Sequence, residues 1–419
     1  MIKRLLTPIP VGTKDILPSE AAELRFLEDA VRSVFDAFGY SEVRTPTLEL
    51  ESVMERAGES RFRRSFRLFG ENGEMLMLRP DMTAPLARMV ATRLEDREPP
   101  FRLCYFADSF RPTRPQRGRQ SEFYQAGLEL IGEDSPGVDA EVIAIACQAL
   151  AASGLRDYSL VLGEASFFRA LLDELRVGEE GREAIFSSMA ARDMVELRRA
   201  VDGLGLSGED SAKILDVVSL RGGSEVLTAA SDLVSGEAMD AALKRLTRTY
   251  YLVSRYGFAP RVLFDLGILR NFDYYTGIVF EVLSGEIGFP IGGGGRYDRL
   301  LGRFGRDLPA VGFAVGLDRL HIAVTEEGGV SLPERPGVAL AGGLDQLLDL
   351  ARELREAGVR VLALDAKTEP REVIRLAAEA GLPLAAVPAG EDFQLMDAAS
   401  RESVTLSRGE LVERVIESP

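Results

Sequence analysis

The feature that most constrains this fold is a pair of strand-like segments joined by an arginine-rich loop. Residues 101–110 read FRLCYFADSF and residues 122–132 read EFYQAGLELIG, so both are rich in aromatic and aliphatic side chains. Two such runs separated by one loop predict an antiparallel β-hairpin with a long connection. We therefore expect an antiparallel sheet that includes this hairpin.

Further helices and strands are predicted before and after the hairpin. Apolar residues at three- and four-residue spacing between Leu24 and Phe38 form one stripe of a helix, which Gly39 can end. Pro46 lies within a short predicted strand and favours an edge or interface position for it. The other predicted elements of this half are strands at 41–50, 74–79 and 157–163 and a helix at 138–150.

Residues 165–257 differ in character from the rest. Segments with helical periodicity alternate there with breaks that contain glycine, which predicts a helical insertion within a sheet-based domain. The sheet is expected to resume beyond the insertion. The elements predicted there are strands at 261–269, 274–283 and 309–316, a glycine-rich turn at 291–295, and helices at 296–305 and 317–327.

A linker is predicted at 326–337, where the sequence EEGGVSLPERPG is rich in glycine, proline and charge. It would separate a core domain at 1–325 from a C-terminal domain at 338–419. Strands and helices alternate in the C-terminal domain, which predicts a small α/β domain with a mostly parallel sheet. The predicted fold class is therefore α+β, with an antiparallel sheet core flanked by helices.

Composition disfavours several classes of function. The chain has 50 Lys and Arg against 66 Asp and Glu, a net charge of −16, so binding nucleic acid is not its expected main task. Cys104 and Cys147 lie far apart without C-x-x-C spacing, which argues against disulfides and a zinc site and favours the cytoplasm. No apolar run reaches about 18 residues, so no membrane span is expected. The only histidine, His321, lies in a predicted helix and is expected to be structural.

One face of the second hairpin strand is a candidate pocket wall. Side chains alternate along a strand, so Gln125, Gly127 and Glu129 share a face with Phe123 and Ile131. An amide, a bare glycine and a carboxylate suit a ligand that carries an ammonium group. They equally suit a half-solvated sheet face on which Gln and Glu meet water, and the pattern leaves both interpretations open.

The loop of the hairpin is a candidate anion site. Guanidinium groups match phosphate oxygens in paired hydrogen bonds, and four arginines so close together favour such a site in an acidic chain. The alternative is a solvated hairpin tip whose charges only aid solubility. The arginines concerned are Arg111, Arg114, Arg117 and Arg119.

Three further features could bind a ligand or could be purely structural. Asp81 and Thr83 lie where a strand gives way to a helix, and either can simply cap that helix. Arg319 lies in the first turn of a helix, a poor position for a cation, so it either meets a buried anion or is exposed. The glycine run at 292–295 lacks the spacing of dinucleotide and P-loop motifs and serves close backbone approach or tight turning.

Together these segments resemble a class II aminoacyl-tRNA synthetase core, and in particular histidyl-tRNA synthetase and its non-ligating relatives. The likeness covers about residues 8–325 and is weaker in the C-terminal domain, which resembles an anticodon-binding domain. Motifs 1 to 3 are matched by FDAFGYSEVRTPTLE, FRPTRPQRGRQSEFYQAG and PAVGFAVGLDRL, and the histidine-recognition segments by ILRNFDYYTGIVFE and GGGGRYD.

The resemblance implies a dimer that forms through the motif 1 region and a pocket for histidine. In that pocket Arg111 would meet an α-phosphate or a ligand carboxylate, and Arg319 would meet the γ-phosphate end. The histidine-pocket residues that the resemblance implies are Asp81, Thr83, Arg111, Gln125, Glu129, Arg270, Tyr274 and Tyr275.

Several positions depart from the pattern of a working synthetase. Thr113 replaces a glutamate that receives the adenine amino group, and losing a charged hydrogen bond of about 1.5–3 kcal/mol weakens ATP binding roughly ten- to a hundredfold. Ser121 replaces a loop arginine, Asp81 replaces a glutamate, and RNF at 270–272 replaces the usual RGL. The C-terminal segment 337–419 has 9 Lys and Arg and 15 Asp and Glu, a net charge of −6, which suits an RNA-binding module poorly.

These departures make the chain more similar to the synthetase-like regulatory subunits of ATP phosphoribosyltransferase. That resemblance implies a protein with no catalytic residues, cofactor, metal or tRNA of its own. It would join a short-form catalytic subunit, as a hetero-octamer, in the first step of histidine biosynthesis, the reaction of ATP with phosphoribosyl pyrophosphate, under feedback by histidine. An active histidine–tRNA ligase is the first alternative, and a module that senses an amino acid for some other enzyme is the second.

Overall fold

A computed structural model describes residues 9–58, 65–113, 120–234, 236–268, 275–285 and 287–418 of this chain, except the side chains of 344–346. The chain divides into two units, Met1–Val330 and Ser331–Pro419. The domain bounds 1–325, 326–337 and 338–419 stay predictions. Each unit is described separately.

The first unit alternates sheet segments with helices before and after a run of helices. Its elements up to the insertion are α1 (Pro18–Ala37), β1 (Ser41–Glu42), β2 (Leu48–Leu50), α2 (Glu51–Met54), β3 (Arg67–Phe69), β4 (Met75–Leu78), α3 (Thr83–Arg93), β5 (Phe101–Phe110), β6 (Glu122–Ile131), α4 (Pro136–Ala152) and β7 (Tyr158–Glu164). The insertion contains α5 (Ala165–Glu174), α6 (Glu179–Ala191), α7 (Met194–Asp202), α8 (Gly208–Ser219), β8 (Arg221–Gly222), α9 (Glu225–Leu233) and α10 (Glu237–Arg255). After it come β9 (Val262–Asp265), β10 (Ile278–Ser284), β11 (Pro290–Arg296), β12 (Ala310–Gly316) and α11 (Leu317–Glu326).

A nine-stranded sheet forms the centre of this unit, in the order β1-β5-β6-β12-β11-β10-β7-β9-β8. The predicted hairpin is present, because β5 and β6 pair antiparallel from Phe101 opposite Ile131 to Phe110 opposite Glu122. Among the described residues of this sheet, the pairs β1–β5 and β7–β9 are parallel and the other pairs are antiparallel. The predicted class II fold, an antiparallel sheet core flanked by helices, is thus confirmed, with one parallel pair near each end of the sheet.

Helix α1 begins at Pro18 and covers one face of the sheet. The predicted apolar stripe is present, since Leu27, Val31 and Phe35 are fully buried. The Phe35 ring lies 5.8 Å from the ring of Phe106 on β5 and 5.9 Å from that of Phe313 on β12. This face of the sheet therefore carries a packed hydrophobic core in which α1 takes part.

The glycine run at 292–295 is a strand and not the predicted turn. It lies within β11, which pairs with β10 on one side and β12 on the other. A Cβ atom built on Gly294 would lie 2.7 Å from Phe313 Cα, so glycine is required for the two backbones to approach this closely. Glycine is rare in strands, which is why the composition predicted a turn.

The predicted helix at 296–305 is also wrong. Only a single 3₁₀ turn, Leu301–Phe304, occurs there. The amide of Tyr297 donates to Ala310 O at 2.7 Å, so the chain stays extended beyond β11 and continues the sheet ladder. Arg296 and Tyr297 are therefore held by the sheet and do not begin a helix.

A second, three-stranded sheet follows motif 1, in the order β2-β4-β3. The segment 41–50, predicted as one strand, is divided here into β1 in the large sheet and β2 in the small one, with Pro46 between them. On one face of the small sheet Leu48 lies opposite Leu78 and Leu50 opposite Leu76. Leu48 and Leu50 are 45% and 43% exposed, so this face is an uncovered apolar surface.

The second unit contains one five-stranded sheet with helices on both faces. Its elements are β13 (Gly337–Gly342), α12 (Leu344–Glu356), β14 (Arg360–Asp365), α13 (Pro370–Glu379), β15 (Leu384–Ala389), β16 (Asp392–Asp397), β17 (Ser403–Leu406) and α14 (Arg408–Ile416). The strand order is β14-β13-β15-β16-β17.

The prediction of a mostly parallel sheet in this unit is wrong. Strand β13 is parallel to β14 and β15, but β15–β16 and β16–β17 are antiparallel. The two added strands follow β15 after short turns, which allow only antiparallel pairing. Half of the residues in these two strands are polar and neither strand contains a long apolar run, so the pattern did not predict strands. A capping box between Ser407 and Glu410 begins the last helix.

Two further expectations concern membranes and cysteines. In the part of the chain that the structure describes, no helix is long and apolar enough to cross a membrane. Cys104 and Cys147 are both buried and form no disulfide.

Glu164 at the junction of β7 and α5 is a buried carboxylate whose ionisation is costly. Its Oε1 accepts hydrogen bonds from Ser166 N at 3.2 Å and Ser166 Oγ at 2.7 Å, while its Oε2 has no partner among the described residues. Burial is the main cause that raises the pKa of Glu164 to about 7, and Asp139 adds to the effect.

This raised pKa predicts a specific pH dependence of stability. The unfolded-state pKa of glutamate is about 4.3, so the stabilisation is complete below that pH and is lost as the pH rises through about 7. Glu164→Gln cannot ionise and keeps an acceptor for Ser166. We expect the free energy of unfolding of the wild type to fall relative to Glu164→Gln between these pH values, by up to about 1.4 kcal/mol per pH unit.

Urea unfolding at a series of pH values measures this difference. Glu179→Gln, at an exposed position at the start of α6, is the control and should follow the wild type. If the free energies of unfolding of Glu164→Gln and of the wild type changed with pH in the same way, this would contradict the raised pKa of Glu164.

Candidate functional site

The candidate site lies on the face of the large sheet opposite α1. Side chains of β6 alternate as predicted, since Ala126, Leu128 and Leu130 are fully buried in the helical core. Glu129 and Gln125 therefore point to the other face. On β12, Gly312 lies opposite Glu129 and Ala314 lies opposite Gly127.

Small residues form the floor of this site. A Cβ atom on Gly127 would overlap the Tyr105 ring, and one on Gly312 would overlap the Glu129 carboxylate. A Cβ atom on Gly295 would lie 2.7 Å from the Tyr275 ring. The three glycines thus provide the space that two tyrosine rings and one carboxylate occupy above the sheet.

Glu129 is the central acidic group of the site. It is only 2% exposed, and its Oε2 accepts a hydrogen bond from the hydroxyl of Tyr297, which is equally buried. A buried carboxylate without donors is strongly unfavourable, so Tyr297 offsets part of the cost of keeping Glu129 in this position. The side chain of Glu129 is consequently fixed in place.

Asp81, Thr83 and Arg111 meet at one end of the site. Asp81 is 6% exposed, and its Oδ1 accepts from the backbone amides of Thr83 at 3.1 Å and Ala84 at 3.4 Å. Its Oδ2 lies 3.7 Å from a terminal nitrogen of Arg111, whose Nε donates to Pro80 O at 2.7 Å. Asp81 therefore both caps α3 and contacts the arginine, so the capping and the pocket interpretations hold together.

Gln125 carries an unsatisfied polar atom. Its Oε1 is buried and has no hydrogen-bond partner among the residues that the structure describes. Buried carbonyl oxygens are nearly always paired in native proteins. An acceptor in this state, on the same strand face as Glu129, indicates a place where a ligand donor can bind.

Tyr105 was not among the predicted site residues, although it belongs to the wall. Burial is the main cause that raises its pKa well above the usual value, and Glu129, Asp81 and Tyr275 raise it further while Arg111 lowers it. Tyr105 therefore stays protonated at neutral pH and can only be a hydrogen-bond donor or a neutral acceptor. The same interactions indicate that Glu129, Asp81, Tyr275 and Arg111 all lie in the neighbourhood of Tyr105.

Arg319 is the third residue of α11 and lies at the end of the sheet where Gly316 faces Gln125. It donates to Pro290 O at 2.7 Å, and its guanidinium carbon lies 5.4 Å above the Phe289 ring. The side chain is thus directed across the start of β11. The neighbouring His321 pairs through Nε2 with Glu23 of α1, a contact between two helices on the packed side.

Several predicted residues lie outside the described part of the chain. They are Arg114, Arg117 and Arg119 of the loop and Arg270 and Tyr274 of the recognition segment. The structure thus brings together Asp81, Thr83, Arg111, Gln125, Glu129 and Tyr275. Among the described residues no cluster of three or more His, Cys, Asp or Glu side chains could hold a metal.

Comparisons with known proteins agree with this architecture. The histidyl-tRNA synthetase family model matches residues 12–320, and an anticodon binding domain model matches residues 338–418. An ATP phosphoribosyltransferase regulatory subunit from Moorella thermoacetica is 42% identical over 389 residues, which cover 92% of this chain and 99% of that protein. The chain belongs to the synthetase-like family of ATP phosphoribosyltransferase regulatory subunits.

Two other relatives show how close this family is to working synthetases. A crystal structure of an ATP phosphoribosyltransferase regulatory subunit/histidyl-tRNA synthetase from Bacillus halodurans C has a TM-score of 0.82 and 30% identity, and covers 93% of this chain and 100% of that chain. A histidine–tRNA ligase from Thermococcus kodakarensis is 35% identical over 429 residues and covers 97% of each chain. The predicted resemblance and fold class are confirmed.

Ser121, one of the positions that depart from the synthetase pattern, has a structural role in this chain. It is 4% exposed, its amide donates to Gly12 O at 2.7 Å, and its hydroxyl lies 3.4 Å from the amide of Thr113. Gly12 packs closely on it, since a Cβ atom built on Gly12 would overlap the Ser121 side chain. Ser121 therefore joins the N-terminal loop to the base of the hairpin.

Sequence reasoning missed two wall residues, Tyr105 and Tyr297. The alternation of β5 carried a signal for Tyr105, since it pairs with Gly127 across the hairpin. Tyr297 lies in the GGGGRYD segment, but a helix was predicted there. That helix gave no reason to expect a contact between Tyr297 and Glu129. The strand β11 and its extension are what direct its hydroxyl to Glu129.

Removing the hydroxyl of Tyr297 should destabilise the core unit. Tyr297→Phe keeps the ring and deletes one donor to a carboxylate that is 2% exposed, which costs about 1–3 kcal/mol. We expect a lower urea midpoint for Tyr297→Phe. Tyr256→Phe, at a residue 42% exposed, is the matched control and should unfold like the wild type. A Tyr297→Phe midpoint equal to that of the wild type would show that Glu129 does not depend on this donor.

Proposed function

We propose that this chain is the non-catalytic regulatory subunit of ATP phosphoribosyltransferase and that it binds histidine on the face of its large sheet opposite α1. The relative that is 42% identical carries that name and matches nearly its full length. The observation that carries the ligand assignment is the buried Oε1 of Gln125, which has no hydrogen-bond partner among the described residues and lies on the strand face that also carries Glu129.

The chemistry of this pocket suits a free amino acid with a polar, proton-donating side chain. Carboxylates at Asp81 and Glu129 and the amide oxygen of Gln125 are acceptors for ammonium and imidazole N–H groups. Arg111 is half exposed and can pair with a carboxylate. Tyr275 over Gly295 provides an aromatic surface for a planar ring.

The same pocket supports amino-acid activation less well. Thr113 has neither the charge nor the reach of the glutamate that receives the adenine amino group in synthetases. The second unit matches an anticodon binding domain model, but its residues 337–419 carry a net charge of −6, which opposes binding to an RNA backbone. We infer that the chain keeps an amino-acid site and does not charge tRNA.

The partner in this proposal is the short-form catalytic subunit, in the hetero-octamer that the resemblance implies, within the cytoplasm. Dimers of the regulatory chain would form through the motif 1 region. The apolar face of the small sheet supports this, because Leu48, Leu50 and Leu68 are each more than 40% exposed there. Burying such a face against a second copy would remove it from water.

Purification with a short-form catalytic subunit tests the proposal. We expect a stable mixed oligomer whose phosphoribosyltransferase activity requires this chain and falls when histidine is added. Gln125→Leu removes one ligand contact of about 1.4 kcal/mol and should raise the histidine Kd about tenfold while the mixed oligomer still forms. Gln148→Leu, on helix α4 away from the pocket face, is the control.

Two outcomes would contradict the proposal. Separate elution of the two proteins at micromolar concentration would exclude the regulatory role. Histidine-dependent ATP–pyrophosphate exchange by this chain alone would favour the alternative function, a histidine–tRNA ligase. The 35% identity to a histidine–tRNA ligase is the reason for that alternative.

A further inference from the structure

A chain of paired charges, fully buried at its centre, runs from the helical insertion to the segments that carry Tyr275 and Tyr297. Its centre is Asp139 of α4, which is fully buried. Arg245 of α10, the last helix of the insertion, and Arg296 at the end of β11 bind this carboxylate from opposite sides. Three elements that are far apart in sequence therefore meet at one carboxylate.

The geometry at Asp139 is that of a fully paired site. Its Oδ2 accepts from Arg245 Nε at 2.9 Å and from a terminal nitrogen of Arg245 at 2.7 Å. Its Oδ1 accepts from Arg296 Nε at 2.8 Å and lies 2.6 Å from a terminal nitrogen of Arg296. Each oxygen thus contacts two nitrogens of one guanidinium group, and such contacts between ionised groups are stronger than hydrogen bonds between neutral groups.

The contacts of Arg296 continue toward the pocket. Another guanidinium nitrogen donates to Asp298 Oδ1 at 3.0 Å, and Asp298 Oδ2 accepts from the Thr276 hydroxyl at 2.9 Å. The Thr276 amide donates to Arg296 O at 2.7 Å. The aliphatic part of Arg296 also packs on Gly277, where a Cβ atom would lie 3.1 Å from Arg296 Cδ.

The residues that this network fixes are direct neighbours of the pocket tyrosines. Thr276 follows Tyr275, whose ring covers Gly295, and Arg296 precedes Tyr297, whose hydroxyl binds Glu129. No member of the network itself belongs to the pocket wall described above. Arg245, Asp139 and Arg296 are therefore placed to position both tyrosines without touching a ligand.

We propose that the Arg245–Asp139–Arg296 network positions Tyr275 and Tyr297 and couples the helical insertion to the histidine pocket. Loss of one of the two cationic partners of a buried carboxylate is strongly destabilising. Arrangements in which Asp139 keeps only one of its two arginines are therefore unfavourable. A shift of α10 that withdraws Arg245 must change the pairing of Arg296, and with it the positions of segments 275–277 and 296–298. Because such coupling is reciprocal, a ligand that fixes the two tyrosines also stabilises the insertion in the position where Arg245 contacts Asp139. The identity of the ligand rests on the function proposed above.

The insertion is a suitable element for such coupling. Helix α10 packs against α4 and α5, and Arg245 also pairs with Asp134 at 2.7 Å, in the loop that begins α4. A partner that binds the insertion could thus act on the pocket through Arg245. A purely structural role would stabilise the whole unit uniformly and give no ligand-dependent effect on α10.

Hydrogen exchange of the full-length chain, with and without histidine, tests this proposal. Arg245→Met removes the charge and keeps much of the side-chain volume, and Arg245→Lys keeps the charge but loses the two-nitrogen contact. Arg248→Met is the matched control, because Arg248 lies in the same helix, is exposed, and its guanidinium carbon lies 5.0 Å above the Tyr251 ring outside the network.

Without ligand, we expect the amides of 275–285 and 290–299 to exchange about five- to tenfold faster in Arg245→Met than in the wild type. Arg245→Lys should be intermediate and Arg248→Met unchanged. With histidine, the amides of α10 should be protected in the wild type and in Arg248→Met, and this protection should be lost in Arg245→Met. The histidine Kd of Arg245→Met should rise by a similar factor.

The proposal would be overturned if the amides of 275–285 and 290–299 exchanged in Arg245→Met at the wild-type rate. It would also be overturned if histidine still protected the amides of α10 in that variant. If the wild type binds no histidine, the function proposed above fails. The ligand-free exchange of Arg245→Met and Arg245→Lys then still decides whether the network positions the pocket segments.

Discussion

The site depends on one cross-strand pair, Glu129 on β6 opposite Gly312 on β12. A carboxylate can lie in the middle of a sheet only if the facing residue leaves space for it and donors offset its desolvation. Gly312 supplies the space and Tyr297 supplies one donor. Because Tyr297 follows β11, three neighbouring strands, β6, β12 and β11, contribute to the surroundings of this one acidic group.

Around that group the residues present suit an amino acid better than ATP, which is the basis of the function that we propose. Asp81 and Arg111 contact each other at one end of the site, and Gln125 lies on the strand face that also carries Glu129, while Ser121 joins the N-terminal loop to the base of the hairpin. In that proposal the fold keeps a binding site and loses its reaction, because the site and the chemistry depend on different side chains. The regulatory role that we propose requires only that histidine binding be linked to the activity of another subunit.

Periodicity predicted the parts of the fold that follow from local patterning. The hairpin, the stripe of α1 and the alternation on β6 were all predicted from the spacing of apolar residues. The strand β11 was not, since glycine is disfavoured in strands unless two neighbouring backbones require it, and that requirement belongs to the tertiary structure. The antiparallel half of the second sheet was missed for a related reason, because its polar strands 392–397 and 403–406 are specified by pairing and not by pattern.

The pocket was predicted in part for the same reasons. Residue identity and family resemblance indicated Asp81, Gln125 and Glu129, but cross-strand register decides that Tyr105 and Tyr297 complete the wall. The pairing of Asp139 with Arg245 and Arg296 joins residues more than a hundred positions apart. No local pattern in the sequence could predict such a contact.

If histidine binds beside Gln125 on the sheet face opposite α1, a crystal structure of the chain grown with histidine shows it most directly. We expect ligand density beside Gln125, with a donor of the ligand within hydrogen-bond distance of Gln125 Oε1 and its carboxylate near Arg111. Histidine density found only at a subunit interface, with this face filled by water, would contradict the account.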